Sequence, residues 1–172
     1  LFVDGARLGA ALTAEKSDVS LADLARLTDA FYIGGTKNGA LFGEAYVIVH
    51  PELQEGFRYH MRQRGALMAK GWIISVQFEE LFSDGLYFDL ARQANCQAAR
   101  LRDAFLAKGY RLAVPGESNQ LFPILDDATA ERLLEKAAFR KWEPLPDGSY
   151  SYRLITSWAT PDWAVDELIA AL

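Results

Sequence analysis

The chain is short of cysteine, histidine, surplus positive charge and long apolar runs, and each shortage removes a class of function. Cys96 is the single cysteine, so no internal disulfide can form. That favours a reducing compartment, with the cytoplasm as the expected location. The two histidines, His50 and His60, have no acidic or cysteine partner at ligand spacing, which argues against a metal site. The formal net charge is -5, and no basic stretch interleaved with aromatics is present to hold a phosphate backbone, so nucleic acid is not an expected partner. No stretch approaches the roughly 18 apolar residues of a membrane span. No basic segment followed by an apolar core marks a signal peptide, so a membrane is not an expected partner either.

What is present is an ordinary globular composition, half hydrophobic and 24% charged over 172 residues. A chain of that size buries about 70% of its unfolded surface, and no segment has the polar, low-complexity character of a linker. Leu1-Phe2-Val3-Asp4 reads as a buried strand. Because the chain opens on it without Met, the expectation is that further sequence precedes it. Leu21, Leu24, Leu27 and Phe31 recur at helical spacing over residues 20–31, with Ser20 and Asp23 as a capping box and the helix itself expected over 20–29. Ala30 to Gly35 is a second apolar strand, which completes a βαβ unit with a parallel pair. Residues 43–49 form a third strand, reached too quickly for a crossover helix and therefore antiparallel.

Pro51 opens a helical region, with helices expected at 52–59, 63–80 and 86–108. Beyond residue 110, short strands (110–114, 119–125, 151–156) alternate with helices at 127–139 and 161–172. Thr160 is placed as the cap of the last helix, with Pro161 at its first position. There is no internal repeat.

Active groups on such sheets gather at the carboxyl ends of strands. Two charged residues occupy such ends: Asp4 after the first strand and Lys37 in the turn Gly34-Gly35-Thr36-Lys37-Asn38-Gly39. Lys37 is either a solvated turn residue or an amine placed by glycines with its stem against apolar neighbours, the setting of a nucleophilic lysine. The turn lacks the spacing of a P-loop. Asp4 is either a strand-end turn residue or the carboxylate that keeps a proton on the ring nitrogen of an electron-sink cofactor held by Lys37. Arg7 fits a surface ion pair or an anion. Arg62 fits a solvated charge or a phosphate contact. Arg153 sits inside an apolar strand, where a lone charge is costly, so it requires a salt bridge or a bound carboxylate. Cys96, Trp158 and Trp163 read as packing residues.

Four blocks then carry a resemblance: DGARLG at Asp4, LADLARLTDAFYIGGTKNGALFGEA around Lys37, MRQRGALMAKG around Arg62 and RLITSWAT around Arg153. Taken in order over nearly the whole chain, they resemble the pyridoxal-phosphate-dependent threonine aldolases and related β-eliminating lyases of the aspartate-aminotransferase fold (fold type I). The resemblance implies an α/β chain. Residues 1–80 would be the C-terminal part of the large cofactor-binding domain with its mostly parallel sheet, 81–109 a connecting helix, and 110–172 a small α/β domain. The family's N-terminal half would be absent.

The resemblance also implies pyridoxal 5'-phosphate as cofactor, with Lys37 as the Schiff-base lysine, Asp4 on the pyridine nitrogen and Arg7 lining the pocket. Arg62 would be offered across a subunit interface toward the phosphate, and Arg153 would grip the substrate carboxylate. A homodimer or homotetramer follows. The expected reaction is that of a low-specificity L-threonine aldolase, cleaving a β-hydroxy-α-amino acid to glycine and an aldehyde. β-Elimination and transamination use the same residues, and a truncated, non-catalytic chain or assembly module is the reading from another class. Thr36-Lys37-Asn38 stands where the family has Ser-Lys-Gly, and Arg58-Tyr59-His60 where it has three glycines.

Overall fold

The computed structural model describes residues 1–172 and divides into two compact units, residues 1–12 with 17–90 and residues 13–16 with 91–172. In the first unit the chain runs β1 (Phe2–Val3), α1 (Leu8–Leu12), α2 (Leu21–Leu27), β2 (Ala30–Gly34), β3 (Glu44–Ile48), α3 (Pro51–Gln54), α4 (Phe57–Gln63), α5 (Trp72–Phe82) and the opening residues of α6 (Leu86–Ala107). The sheet order is β1-β2-β3. β1 and β2 are parallel, with Val3 opposite Phe31, and β3 returns antiparallel, as the connection lengths require.

The helix α2 starts where the sequence places it. The Ser20 hydroxyl accepts from the Asp23 N–H at 3.1 Å, and the Asp23 carboxylate accepts from the Ser20 N–H at 3.0 Å. Leu24 is buried with Leu8, Phe31, Ile33, Leu81 and Tyr87 in one apolar cluster. Leu27, expected on that buried stripe, is exposed, because α2 ends there and Thr28 already takes extended backbone.

The second unit holds the remainder of α6, then β4 (Gln120–Leu121), β5 (Ile124–Leu125), α7 (Asp127–Leu134), β6 (Arg140–Pro144), β7 (Tyr150–Ile155) and α8 (Asp162–Ala170). β7 pairs antiparallel with all three other strands, so that Tyr150 has Leu125 on one side and Pro144 on the other. Phe105 and Leu133 are fully buried there with Leu101, Tyr152, Leu154, Val165 and Leu168.

Several sequence expectations need correction. The helices expected at 52–59 and 63–80 are instead α3, α4 and α5, because Gly56 and Gly65 take left-handed backbone (φ 66° and 67°) and interrupt the helical run. The helix expected over 127–139 stops at Leu134, and Arg140–Pro144 is a strand. No strand forms over 110–114, where a single bridge joins Leu112 to Pro123. Pro161, not Thr160, is the N-cap of α8, so the helix starts one residue later than expected. Cys96, Trp158 and Trp163 are exposed, not packed. No helix is long and apolar enough to cross a membrane.

Candidate functional site

The parallel register brings Asp4 level with Tyr32 one strand over. The Tyr32 hydroxyl donates to Asp4 Oδ1, and the Ala6 N–H donates to the same oxygen at 3.0 Å. These hydrogen bonds, the tyrosine's first, hold the Asp4 carboxyl below the usual carboxylate range, and the charge of Lys37 lowers it further. In return the Tyr32 phenol is pushed up to about 12, chiefly by its bond to Asp4. Asp4 is therefore an anion throughout the neutral range. Both donors reach Oδ1, and Oδ2 receives neither.

The two strand ends sit unusually close together. Gly34 N–H donates to Gly5 O at 2.9 Å, and a Cβ on Gly5 would lie 1.6 Å from the Tyr32 carbonyl oxygen. Only glycine fits at position 5.

The turn that carries Lys37 is fixed at every neighbour of the lysine. Glu44, the first residue of β3, accepts from the Gly35 N–H at 2.6 Å and from the Thr36 hydroxyl at 3.1 Å. The Asn38 and Ala40 N–H groups both donate to Gly35 O, at 2.8 and 3.0 Å. The buried Asn38 amide donates to Tyr87 O at 2.7 Å. The Tyr87 hydroxyl, fully buried, donates to Gly34 O and accepts from Gly9 N–H, each at 3.0 Å. Burial pushes that phenol up to about 12, so it remains a neutral donor. The Lys37 side chain itself is exposed, as in the solvated of the two readings left open by the sequence, and not with its stem against apolar neighbours: the backbone of the turn, not a pocket wall, aims it.

Arg7 is half-buried in the turn leading into α1. Arg62 is exposed in the last turn of α4. In the second unit, Arg153 is half-buried on β7, and its Nε and Nη2 donate to Gln120 Oε1 at 3.1 and 2.6 Å. Its guanidinium carbon lies 4.7 Å from the centre of the Trp142 ring. Nothing in the sequence marks Tyr32, Glu44, Asn38 or Tyr87 as supports of this site; Tyr32, Glu44 and Asn38 lie in or beside the apolar strands and the Gly-rich turn, and Tyr87 lies in the first turn of α6.

A carboxylate with one oxygen free and a primary amine, on adjacent parallel strand ends and near enough to feel each other's charge, form a donor set that fits a pyridine ring with an electrophilic carbon substituent. The architecture is that of the fold type I pyridoxal-phosphate enzymes. The Sphingomonas wittichii serine palmitoyltransferase, only 20% identical, superposes over 99% of this chain and 45% of its own with a TM-score of 0.68. The Leishmania major threonine aldolase superposes with a TM-score of 0.94 at 48% identity, over 99% of this chain and 50% of that one. A low-specificity L-threonine aldolase of Pseudomonas sp. (strain NCIMB 10558) is 33% identical over 144 residues, 83% of this chain and 40% of the relative. The chain belongs to the threonine aldolase family, and it spans half or less of the length of these relatives. No family model matches it.

Proposed function

We propose that this chain supplies the lysine-bearing part of a pyridoxal-phosphate-dependent aldolase acting on β-hydroxy-α-amino acids, of the low-specificity L-threonine type. The observation that carries the reading is the placement of an ionised Asp4 and of Lys37 just beyond the carboxyl ends of the adjacent parallel strands β1 and β2. When bound, the cofactor supplies an electron-poor ring that draws in the electrons of the breaking Cα–Cβ bond. Asp4 Oδ2 keeps the proton on the ring nitrogen, and Tyr32 holds Asp4 in the orientation to do so. Lys37 would hold the cofactor through Nζ, and its amine would carry a proton to or from the substrate Cα. Arg7 lines the pocket and Arg153 receives the α-carboxylate by its fork of donors. The products are glycine and an aldehyde.

The same reading assigns Arg62 to the cofactor phosphate of a neighbouring subunit, and so a homo-oligomer. Tyr59, Leu67, Met68 and Trp72, which flank Arg62 in sequence, are all exposed, and exposed apolar groups of this size are characteristic of protein interfaces. Borohydride reduction of the cofactor-loaded natural protein, followed by peptide mass mapping, tests the assignment. The label is expected on Lys37, together with glycine and aldehyde from L-threonine. A label on another lysine, or release of ammonia and a keto acid in place of glycine, overturns it.

A further inference from the structure

The turn that carries Lys37 is closed on one side by the corner between α5 and α6, within the first unit. A Cβ on Gly35 would lie 2.8 Å from Phe78 Cζ of α5, and one on Gly39 would lie 2.6 Å from Leu90 Cδ1 of α6. The two helices therefore press on bare backbone to either side of the lysine, whose own side chain is exposed. Gln77 of α5 adds a polar contact, its Oε1 accepting from the Leu41 N–H at 2.8 Å.

Tyr87, in the first turn of α6, reaches both flanks of the lysine and the Asp4 side as well. Its backbone carbonyl accepts from the Asn38 amide, directly after Lys37, at 2.7 Å. Its hydroxyl donates to Gly34 O, before the lysine, and accepts from the N–H of Gly9 in α1, the helix that follows Asp4, each at 3.0 Å. The ring is fully buried. It stacks on Phe82 with centres 5.0 Å apart and meets Phe88 edge-on at 5.5 Å. A phenol seated in this way cannot turn without losing both hydroxyl bonds, and a buried hydroxyl left unbonded is costly.

We propose that Tyr87 is a positioning residue for Lys37, acting through Gly34 and Asn38 to hold the turn at the separation from Asp4 that one bound ring requires. The inference rests on the aldolase reading for what Lys37 does. It adds the residue that sets where Lys37 stands, and it places that residue on α6, outside both strands of the site.

Three variants of the natural protein test it. Tyr87→Phe keeps the ring and removes the hydroxyl. Asn38→Ala and Asn38→Asp remove the amide donor and cover the case in which Tyr87→Phe does not fold. Asn38→Asp is isosteric but sets a carboxylate oxygen against Tyr87 O, so it should be the more damaging of the two. Amide hydrogen exchange of the cofactor-free protein reads the turn itself, and peptides covering 34–44 should exchange faster in every variant that folds. In the cofactor-loaded protein, kcat for glycine production from L-threonine should fall about 10- to 100-fold with KM held, the scale for a reacting group displaced by about 1 Å. The pH midpoint of the visible cofactor band should move, because the surroundings of the lysine amine change. A purely structural role would lower Tm and leave kcat per folded molecule and the pH midpoint in place. Unchanged exchange over 34–44, or faster exchange with kcat and the pH midpoint unchanged, overturns the proposal and leaves the aldolase reading standing. If the natural protein makes no glycine but borohydride labels Lys37, the aldolase reading fails alone, and exchange with the pH midpoint decides the positioning role. If Lys37 is not labelled, both fail.

Discussion

The two units hold their charged groups by opposite means. In the first, the charged groups are placed by hydrogen bonds: Asp4 by the donors Tyr32 and Ala6, and the Lys37 turn by the accepting Glu44 carboxylate, the Asn38 amide and the Tyr87 hydroxyl. In the second, cations lie on aromatic rings, Lys141 over Tyr150 and Arg140 and Arg153 over Trp142. Their cores differ as well. The second unit closes its own, with Phe105 and Leu133 fully buried. The first leaves a ladder of stacked rings running Tyr32, Phe2, Tyr46 and Phe57, with successive centres 6.3, 5.7 and 5.7 Å apart, and Phe2 and Tyr46 about half exposed. On the proposed function, a rigid turn serves an amine that must itself stay mobile, and adaptable side chains on a well-packed sheet serve a residue that only holds an anion.

The comparison can be broken most decisively at Lys37. Lys37→Ala is expected to keep the fold and to lower turnover by at least the 10²- to 10⁴-fold typical of a lost proton carrier; glycine production from L-threonine measures it. Next in size is Phe105→Ala, which leaves a cavity in the closed core and should cost about 3–5 kcal/mol in a urea melt. Gly5→Ala follows. Its Cβ would lie 1.6 Å from a carbonyl oxygen, so β1 and β2 must separate, at about 1–3 kcal/mol by the same melt.

The smallest effect belongs to the α2 cap. Ser20→Ala should cost about 1 kcal/mol. Asp23 is held near a pKa of about 2, first by the Ser20 hydroxyl, against an ordinary 3.8. A depressed carboxylate stabilises the fold above its unfolded pKa, so the cap's contribution is complete above pH 3.8 and lost as pH falls through about 2. An acid titration of stability should show that loss in the natural chain and less of it in Ser20→Ala.

The βαβ unit and the Lys37 turn were legible in the sequence because their signals are local: apolar spacing, a capping box and a run of glycines. The supports of the site were not. Tyr32 reaches Asp4 across 28 residues and Asn38 reaches Tyr87 across 49, and no window of periodicity spans such distances. β6 was not read as an element at all, because all five of its residues are exposed and it shows no alternation of apolar and polar positions. The break between α4 and α5 turned on Gly65, and a lone glycine in a helical pattern is tolerated as often as it terminates. Arg153 was legible as a charge needing a partner, but the ring it shares with Arg140 required knowing that β6 exists.

Glu44 has a consequence for anyone who would transplant this turn. The segment from Gly34 to Gly39 looks like a self-contained loop that could be spliced into another scaffold. Its shape depends on a carboxylate nine residues beyond Gly35, which accepts from the Gly35 N–H and the Thr36 hydroxyl. The portable part is the whole hairpin from β2 through the first residue of β3, and a graft that ends at Gly39 would carry the lysine without the brace that aims it.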